Sequence, residues 1–324
     1  MTAAAAAPPL PLTDAEKEHF VTHGWLRLKN CFTREQAAAA TANVWTRLGM
    51  DPADKSTWTR ERTHMPHHTE FDAAAFAPRA WAAICELCGG EDRIADWTRK
   101  WRDTFIVNLG TPEGEGKEVH PRDLRNWHVD GDFFVHYLDS PEQGLLVIPL
   151  YTDIAPGAGG TFICPEAVPK VARYLYENPE GVSPVMHPRS HPEFPRVPFN
   201  SDTGAFFSGV VKQCDNFVEA TGEVGDVYLL HPLMLHSASN NARRHARIIT
   251  NPPISLKEPF CFDRPDGEYT LVEQTTLRAL GKDRLEGWKI RGERESVVPD
   301  RVKMQEELKR REVERMKATE AVAA

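Results

Sequence analysis

The chain has 324 residues, of which 41% are hydrophobic and 27% charged, an ordinary balance for a protein that buries one sizeable core. Lys and Arg number 39 against 47 Asp and Glu, a net charge of −8, which argues against nucleic acid or an anionic membrane as a partner. No apolar run approaches the roughly 18 residues of a membrane span, so no membrane insertion is expected.

Met1–Leu12 is rich in Ala and Pro and lacks a basic start and an apolar stretch. It reads as a disordered leader, not a secretion signal, and a cytoplasmic location is expected. Residues 13–297 read as one domain with its core at about 100–255, and residues 298–324 as a charged C-terminal helix and tail. Thr13-Asp14-Ala15-Glu16 and Thr33-Arg34-Glu35-Gln36 both fit the capping box that starts a helix. Between them Gly24–Leu28 alternates apolar and polar residues and predicts a short strand. An Ala-rich helix is expected from Gln36 to Leu48, ending near Gly49. Asp51–Phe76 has no period and reads as a long loop or irregular cover. Pro78–Cys88 predicts a helix with Trp81, Ile84, Cys85 and Cys88 on one stripe. Its lone CxxC has no second ligand pair, so both thiols are expected in the core. The six cysteines, at 31, 85, 88, 164, 214 and 261, suggest no disulfide framework.

From Phe105 onward the period changes. Phe105–Leu109, Gly144–Thr152, Gly160–Ile163, Asp226–Leu230 and Arg247–Thr250 are short apolar or β-branched runs bounded by turn residues. The fold class expected is mainly β with α: a double-stranded β-helix, or jelly roll, behind an N-terminal helical buttress. Two long interruptions, Thr111–Arg125 and the proline-rich Asn178–Asp202, read as lids or specificity loops. Val298–Ala318 predicts a solvated helix with Glu306/Arg310 and Glu307/Arg311 at i,i+4 spacing. A contact with the body or a homo-oligomer contact is first sought there.

Trp127-His128-Val129-Asp130 carries the chemistry. Residues two apart on a strand share a face, so His128 and Asp130 can present an imidazole and a carboxylate to one metal ion. A distant histidine would complete a two-histidine, one-carboxylate set that leaves three coordination positions open. Those positions suit Fe(II), an oxo-acid cosubstrate such as 2-oxoglutarate, and O2. His231 and His236 both qualify as the third ligand, each followed about a dozen residues later by an arginine, Arg243 or Arg247. Arg243 lies in a polar turn. Arg247 opens the run Arg-Ile-Ile-Thr, where a guanidinium is costly unless it binds an anion.

Trp127–Asp132, Gly159-Gly160-Thr161, and Gly225–His236 followed by Asn240 and Arg247 resemble the phytanoyl-CoA dioxygenase family of Fe(II)/2-oxoglutarate oxygenases. The resemblance covers roughly Leu12 to Pro253. It implies a metal set of His128, Asp130 and His236, since the last histidine of the family's HPxxxH pattern is the ligand, with His231 left to support a ligand from behind or to pack. It also implies that Arg247 holds the distal carboxylate of 2-oxoglutarate, with Thr161 beside it and Asn126 where some relatives place a glutamine. Hydroxylation of a small or medium organic substrate is the default outcome; desaturation, epimerisation, ring formation and endoperoxide chemistry use the same triad. Halogenation is not expected, because related halogenases replace the carboxylate that Asp130 retains.

Other residues are weighed more plainly. Pro66 interrupts helical presentation of His64, His67 and His68, so these are expected to line a substrate mouth and not a second metal. Alternate members of Phe133, Phe134, His136 and Tyr137 would face the cavity if the strand continued. A coenzyme-A thioester would favour basic residues, but Arg60, Arg62, Lys117, Arg122 and Arg125 are offset by Glu61, Glu113, Glu115 and Glu118. Two other classes compete: a cupin-like metal enzyme that uses no oxo acid, which gives Arg247 no task, and a non-catalytic jelly-roll binding protein, which gives the triad none.

Overall fold

The computed structural model describes residues 12–195, 205–299 and 301–323. Its centre is two antiparallel sheets. In the larger, Trp25–Leu28 pairs with Val227–Leu230, which pairs with Leu145–Pro149. Leu145–Pro149 pairs in turn with Pro253–Ile254, and the Leu150–Ile249 bridge carries that ladder in the same register to Arg247–Ile249. Ile106–Asn108 and Arg62–His64 complete the sheet. In the smaller sheet Val218–Ala220, Thr161–Cys164 and Leu235–Ala238 lie side by side, and the His128–His236 bridge adds a fourth member.

Setting aside the edge strands Trp25–Leu28 and Arg62–His64, and counting Arg247–Ile249 with Pro253–Ile254 as one interrupted strand, leaves eight. These change sheet at every step in chain order except between Thr161–Cys164 and Val218–Ala220, which pair with each other. That connectivity is the jelly roll. Directly opposed residues of an antiparallel ladder point to one side. Leu146, Ile148, Leu150, Tyr228, Leu230 and Ile249 of the larger sheet therefore meet Ile163 and Ala220 of the smaller in one buried cluster. The helices Asp14–His23, Pro78–Cys88 and Val168–Glu177 gather on Leu271–Leu280. That last helix escapes the sequence reading although its capping box, Thr270 with Glu273, is present.

Several expectations need correction. The helix predicted over Gln36–Leu48 starts at Arg34 and breaks into Arg34–Thr41 and Val44–Leu48. Asn43 leaves helical geometry there, at φ −96° and ψ 2°, as a side chain that competes for backbone hydrogen bonds does. Asp51–Phe76 is not all irregular: it holds the strands Arg62–His64 and Glu70–Asp72 and the turn of helix Ala73–Phe76. Strands of three residues are too short to show a period. The leader falls outside the described residues except for Leu12, which is buried and donates its N–H to Glu86 Oε2 at 2.9 Å. Residues 196–204 of the proline-rich interruption also lie outside them.

The C-terminal helix, Arg301–Ala323, is pinned to the body and is not simply solvated. Glu312 is fully buried, with Oε2 2.9 Å from both Arg47 Nε and His68 Nε2. Arg47 also donates to Asp103 Oδ2 at 2.9 Å and to the Pro66 carbonyl at 2.5 Å. Arg315 donates to the Arg47 carbonyl. An apolar-stripe search misses this contact because it is made by charge. Removing one partner of a buried pair strands the other, at a cost of about 3 kcal/mol. Glu312→Ala should lower stability by about that amount, read as a lower urea midpoint with an unchanged slope.

Candidate metal centre

Antiparallel pairing creates the site. His128 and His236 exchange two backbone hydrogen bonds, N–H to carbonyl at 3.1 and 3.0 Å. As directly opposed residues they turn their rings to the same side, with centroids 4.2 Å apart. Asp130, two residues after His128, follows them inward, and its Oδ1 lies 3.4 Å from the Nε2 atom of each histidine. The three ligand atoms fall within 4.8 Å of one another. Bonds near 2.1 Å at right angles would place neighbouring ligand atoms about 3 Å apart, close to the two distances that Asp130 makes.

Backbone carbonyls set the tautomers. His128 Nδ1 lies 2.7 Å from the Asn126 carbonyl, and His236 Nδ1 lies 3.2 Å from the Met234 carbonyl. A carbonyl only accepts, so each Nδ1 carries the proton and each Nε2 keeps its lone pair for a metal. Asp130 is oriented likewise, its Oδ2 accepting from Asn251 Nδ2 at 3.1 Å. Burial opposes protonation of His128, but the Asp130 carboxylate outweighs it and holds the imidazole above its ordinary value. Burial also works against ionised Asp130, yet His236 and His128 keep it well below the usual carboxylate range. His128 nonetheless leaves 43% of its side chain open, so the donor set is accessible.

His231 has both ring nitrogens engaged within the protein. Its Nδ1 accepts from the Leu233 amide at 3.2 Å and its Nε2 meets the Thr276 hydroxyl at 2.9 Å, tying a strand end to Leu271–Leu280. Arg243 lies on the surface, on the Pro156 carbonyl. Arg247 is 1% exposed, and its Nε donates to the Gly159 carbonyl at 2.7 Å. Among the described residues no carboxylate pairs with it. Burial, and secondarily Arg62, push its pKa down to about 9, so the guanidinium stays charged at neutral pH.

The other expected residues divide. Thr161 is buried and faces inward between Ala238 and Ala220, two residues after Gly159. Asn126 is exposed, and its hydrogen bond at the site comes from its carbonyl. His68 goes to Glu312, His67 lies on the surface, and His64 turns inward. The strand does not continue through Phe133–Tyr137. Gly131 turns the chain at φ 114°, where an added Cβ would meet the Phe134 ring at 2.5 Å. Phe134 then stacks on His136, and the Tyr137 hydroxyl donates to the Glu293 carbonyl at 2.6 Å.

Asn251 was missed, although strand alternation from Arg247 through Ile249 already placed it on the inner face. Arg301 left no signal. It arrives from the C-terminal helix, clasps Asp132 at 2.5 and 2.8 Å, and lies over the Phe133 ring. A second metal-capable group, His187, His191 and Glu193, fits less well. Its imidazoles stack 3.8 Å apart at 25°, aiming lone pairs side by side, and His191 Nδ1 already accepts the Glu193 amide.

No protein-family model matches the chain, and no curated protein does. Solved structures similar to it include SnoN, a non-heme alpha ketoglutarate dependent epimerase from nogalamycin biosynthesis, at 14% identity and TM-score 0.39 over 75% of this chain and 82% of that one. EctD from S. alaskensis, solved with 2-oxoglutarate and 5-hydroxyectoine, is 14% identical at TM-score 0.41 over 78% of each chain. HygX from Streptomyces hygroscopicus, with nickel and 2-oxoglutarate bound, is 12% identical at TM-score 0.41 over 76% of this chain and 88% of that one. Likeness at this level decides nothing about activity.

Replacing Asn251 with Ala should weaken metal binding about tenfold, the usual effect of losing the partner of a ligand, measured by competition with a chelating dye. Burial holds His136 neutral down to about 4 and His231 down to about 3. Both take a proton in the unfolded chain below their ordinary value of 6.5. Unfolding therefore takes up protons below that value, and stability should fall as pH drops from about 6.5 to 4. Urea midpoints across that range check this, and His231→Leu should flatten the slope.

Proposed function

We propose that the chain is an Fe(II)- and 2-oxoglutarate-dependent dioxygenase, similar to the phytanoyl-CoA dioxygenase family, that oxidises a C–H bond of a small organic molecule. Hydroxylation is the default outcome, with 2-oxoglutarate converted to succinate and carbon dioxide. The observation that carries this reading is Arg247: a fully buried guanidinium with no carboxylate partner among the described residues, on the inner face of the sheet that also supplies Asn251 to Asp130. An isolated buried cation costs several kcal/mol, and a dicarboxylate cosubstrate removes that cost by supplying the missing anion.

His128, Asp130 and His236 would hold the iron through Nε2, Oδ1 and Nε2. The iron supplies dioxygen activation when bound. The protein's own work is placement. The Asn126 and Met234 carbonyls and the Asn251 amide hold the three ligands in orientation. Arg247 would fix the distal end of the oxo acid with Thr161 beside it, so that the keto end meets the open face of the triad. Arg301 pairs with Asp132, two residues past Asp130.

Anaerobic addition of Fe(II) and 2-oxoglutarate should produce a visible charge-transfer band that His128→Ala and His236→Ala abolish. Folded wild-type protein without the band would overturn the reading. Arg247→Met should leave metal binding in place and weaken 2-oxoglutarate by at least about tenfold, since each hydrogen bond to a charged group contributes about 1.5–3 kcal/mol. Equal affinity in that variant would favour a metal enzyme that needs no oxo acid.

A further inference from the structure

Arg62–His64 lies outside the eight-strand jelly roll, yet it turns two side chains into it. Its ladder sets Arg62 opposite Asn108 and His64 opposite Ile106; the next ladder sets Asn108 opposite Arg247 and Ile106 opposite Ile249. Opposed residues share a face, so the inner wall of the larger sheet is built in layers. Arg62, Asn108 and Arg247 form one, and His64, Ile106 and Ile249 the next. Two residues further along the strand, Asn251 reaches Asp130.

An oxo acid extending from Arg247 to a metal on the triad must cross the middle layer, and there His64 is the polar side chain. The charges acting on its ring are those of Arg247, His128, Arg301 and Asp130, the groups at both ends of that path. Its ring faces open space and, among the described residues, makes no hydrogen bond. Although solvent reaches the ring, the protein crowded around it first, then Arg247, His128 and Arg301, push its pKa down to about 4. At neutral pH it carries one N–H and one lone pair, and can donate without adding charge.

We propose that His64 is a positioning residue for the cosubstrate, donating its N–H to the oxo-acid carboxylate that approaches the metal. This rests on the oxo-acid reading of Arg247. The extra edge strand then belongs to the site: in the layer where the core strands place Ile106 and Ile249, it adds a polar group.

The test is calorimetric titration of 2-oxoglutarate into the full chain loaded anaerobically with Fe(II), with no turnover involved. His64→Leu should weaken binding about ten- to hundredfold, the loss of one hydrogen bond to a charged group. His64→Gln, which keeps an N–H donor, should return it to within about threefold of wild type. Fe(II) affinity should be the same in all three. His64→Ala carries the same expectation as Leu without added bulk, should the leucine variant not fold. If wild type binds and the Leu and Ala variants bind equally well, the His64 proposal fails while the oxo-acid reading stands. A loss that Gln does not restore, or that comes with weakened Fe(II) binding, makes His64 structural and overturns the proposal. No binding by wild type overturns both.

Discussion

Two backbone hydrogen bonds between His128 and His236 hold the site together. They join residues more than a hundred positions apart and, because opposed residues of an antiparallel pair turn the same way, they aim both imidazoles at one point. Asp130 follows from the two-residue period of the strand. A one-residue slip in that pairing would turn one ring toward the outside of the sandwich. The register of the smaller sheet is thus the constraint from which the donor set follows, and the carbonyls that fix the tautomers come with it.

The larger sheet contributes the opposite quality. Where the smaller sheet gathers groups that partner one another, the larger carries Arg247 into the interior, where its hydrogen bonds among the described residues go to carbonyls. Buried cations without a counter-ion are uncommon because desolvation is costly. Under the proposed function an anionic cosubstrate would supply the counter-ion that Arg247 lacks among the described residues. Arg62, Asn108 and His64 share the same inner wall, which makes that wall polar where a plain jelly-roll core would be aliphatic.

The C-terminal helix joins these parts from a distance. Glu312 settles on Arg47 and His68, and Arg301 closes on Asp132, two residues past Asp130. The segment between body and helix also pairs with the chain beyond Gly131, through Ser296 with Phe134 and Val297 with Phe133. The end of the chain thereby forms an outer wall of the site, although its sequence resembles that of a solvent-exposed helix.

His128 and Asp130 were legible in the sequence because their relation is local: two residues apart, one strand, one face. Arg247 was legible for a similar reason, as a charge opening an apolar run, and the jelly roll showed in five short apolar segments between turn residues. The sequence left His231 and His236 both open as ligands by spacing. Only the folded structure separates them, engaging both ring nitrogens of His231 between Leu233 and Thr276 and grouping His236 with His128 and Asp130. The sequence was equally silent on Arg62–His64, three residues with no measurable period, and on Arg301 and Glu312, whose partners lie far away in the chain. Local periodicity determines which way a side chain points along its own strand. Which distant side chain it meets is decided by sheet register and buried charge pairing, and those exist only once the chain has folded.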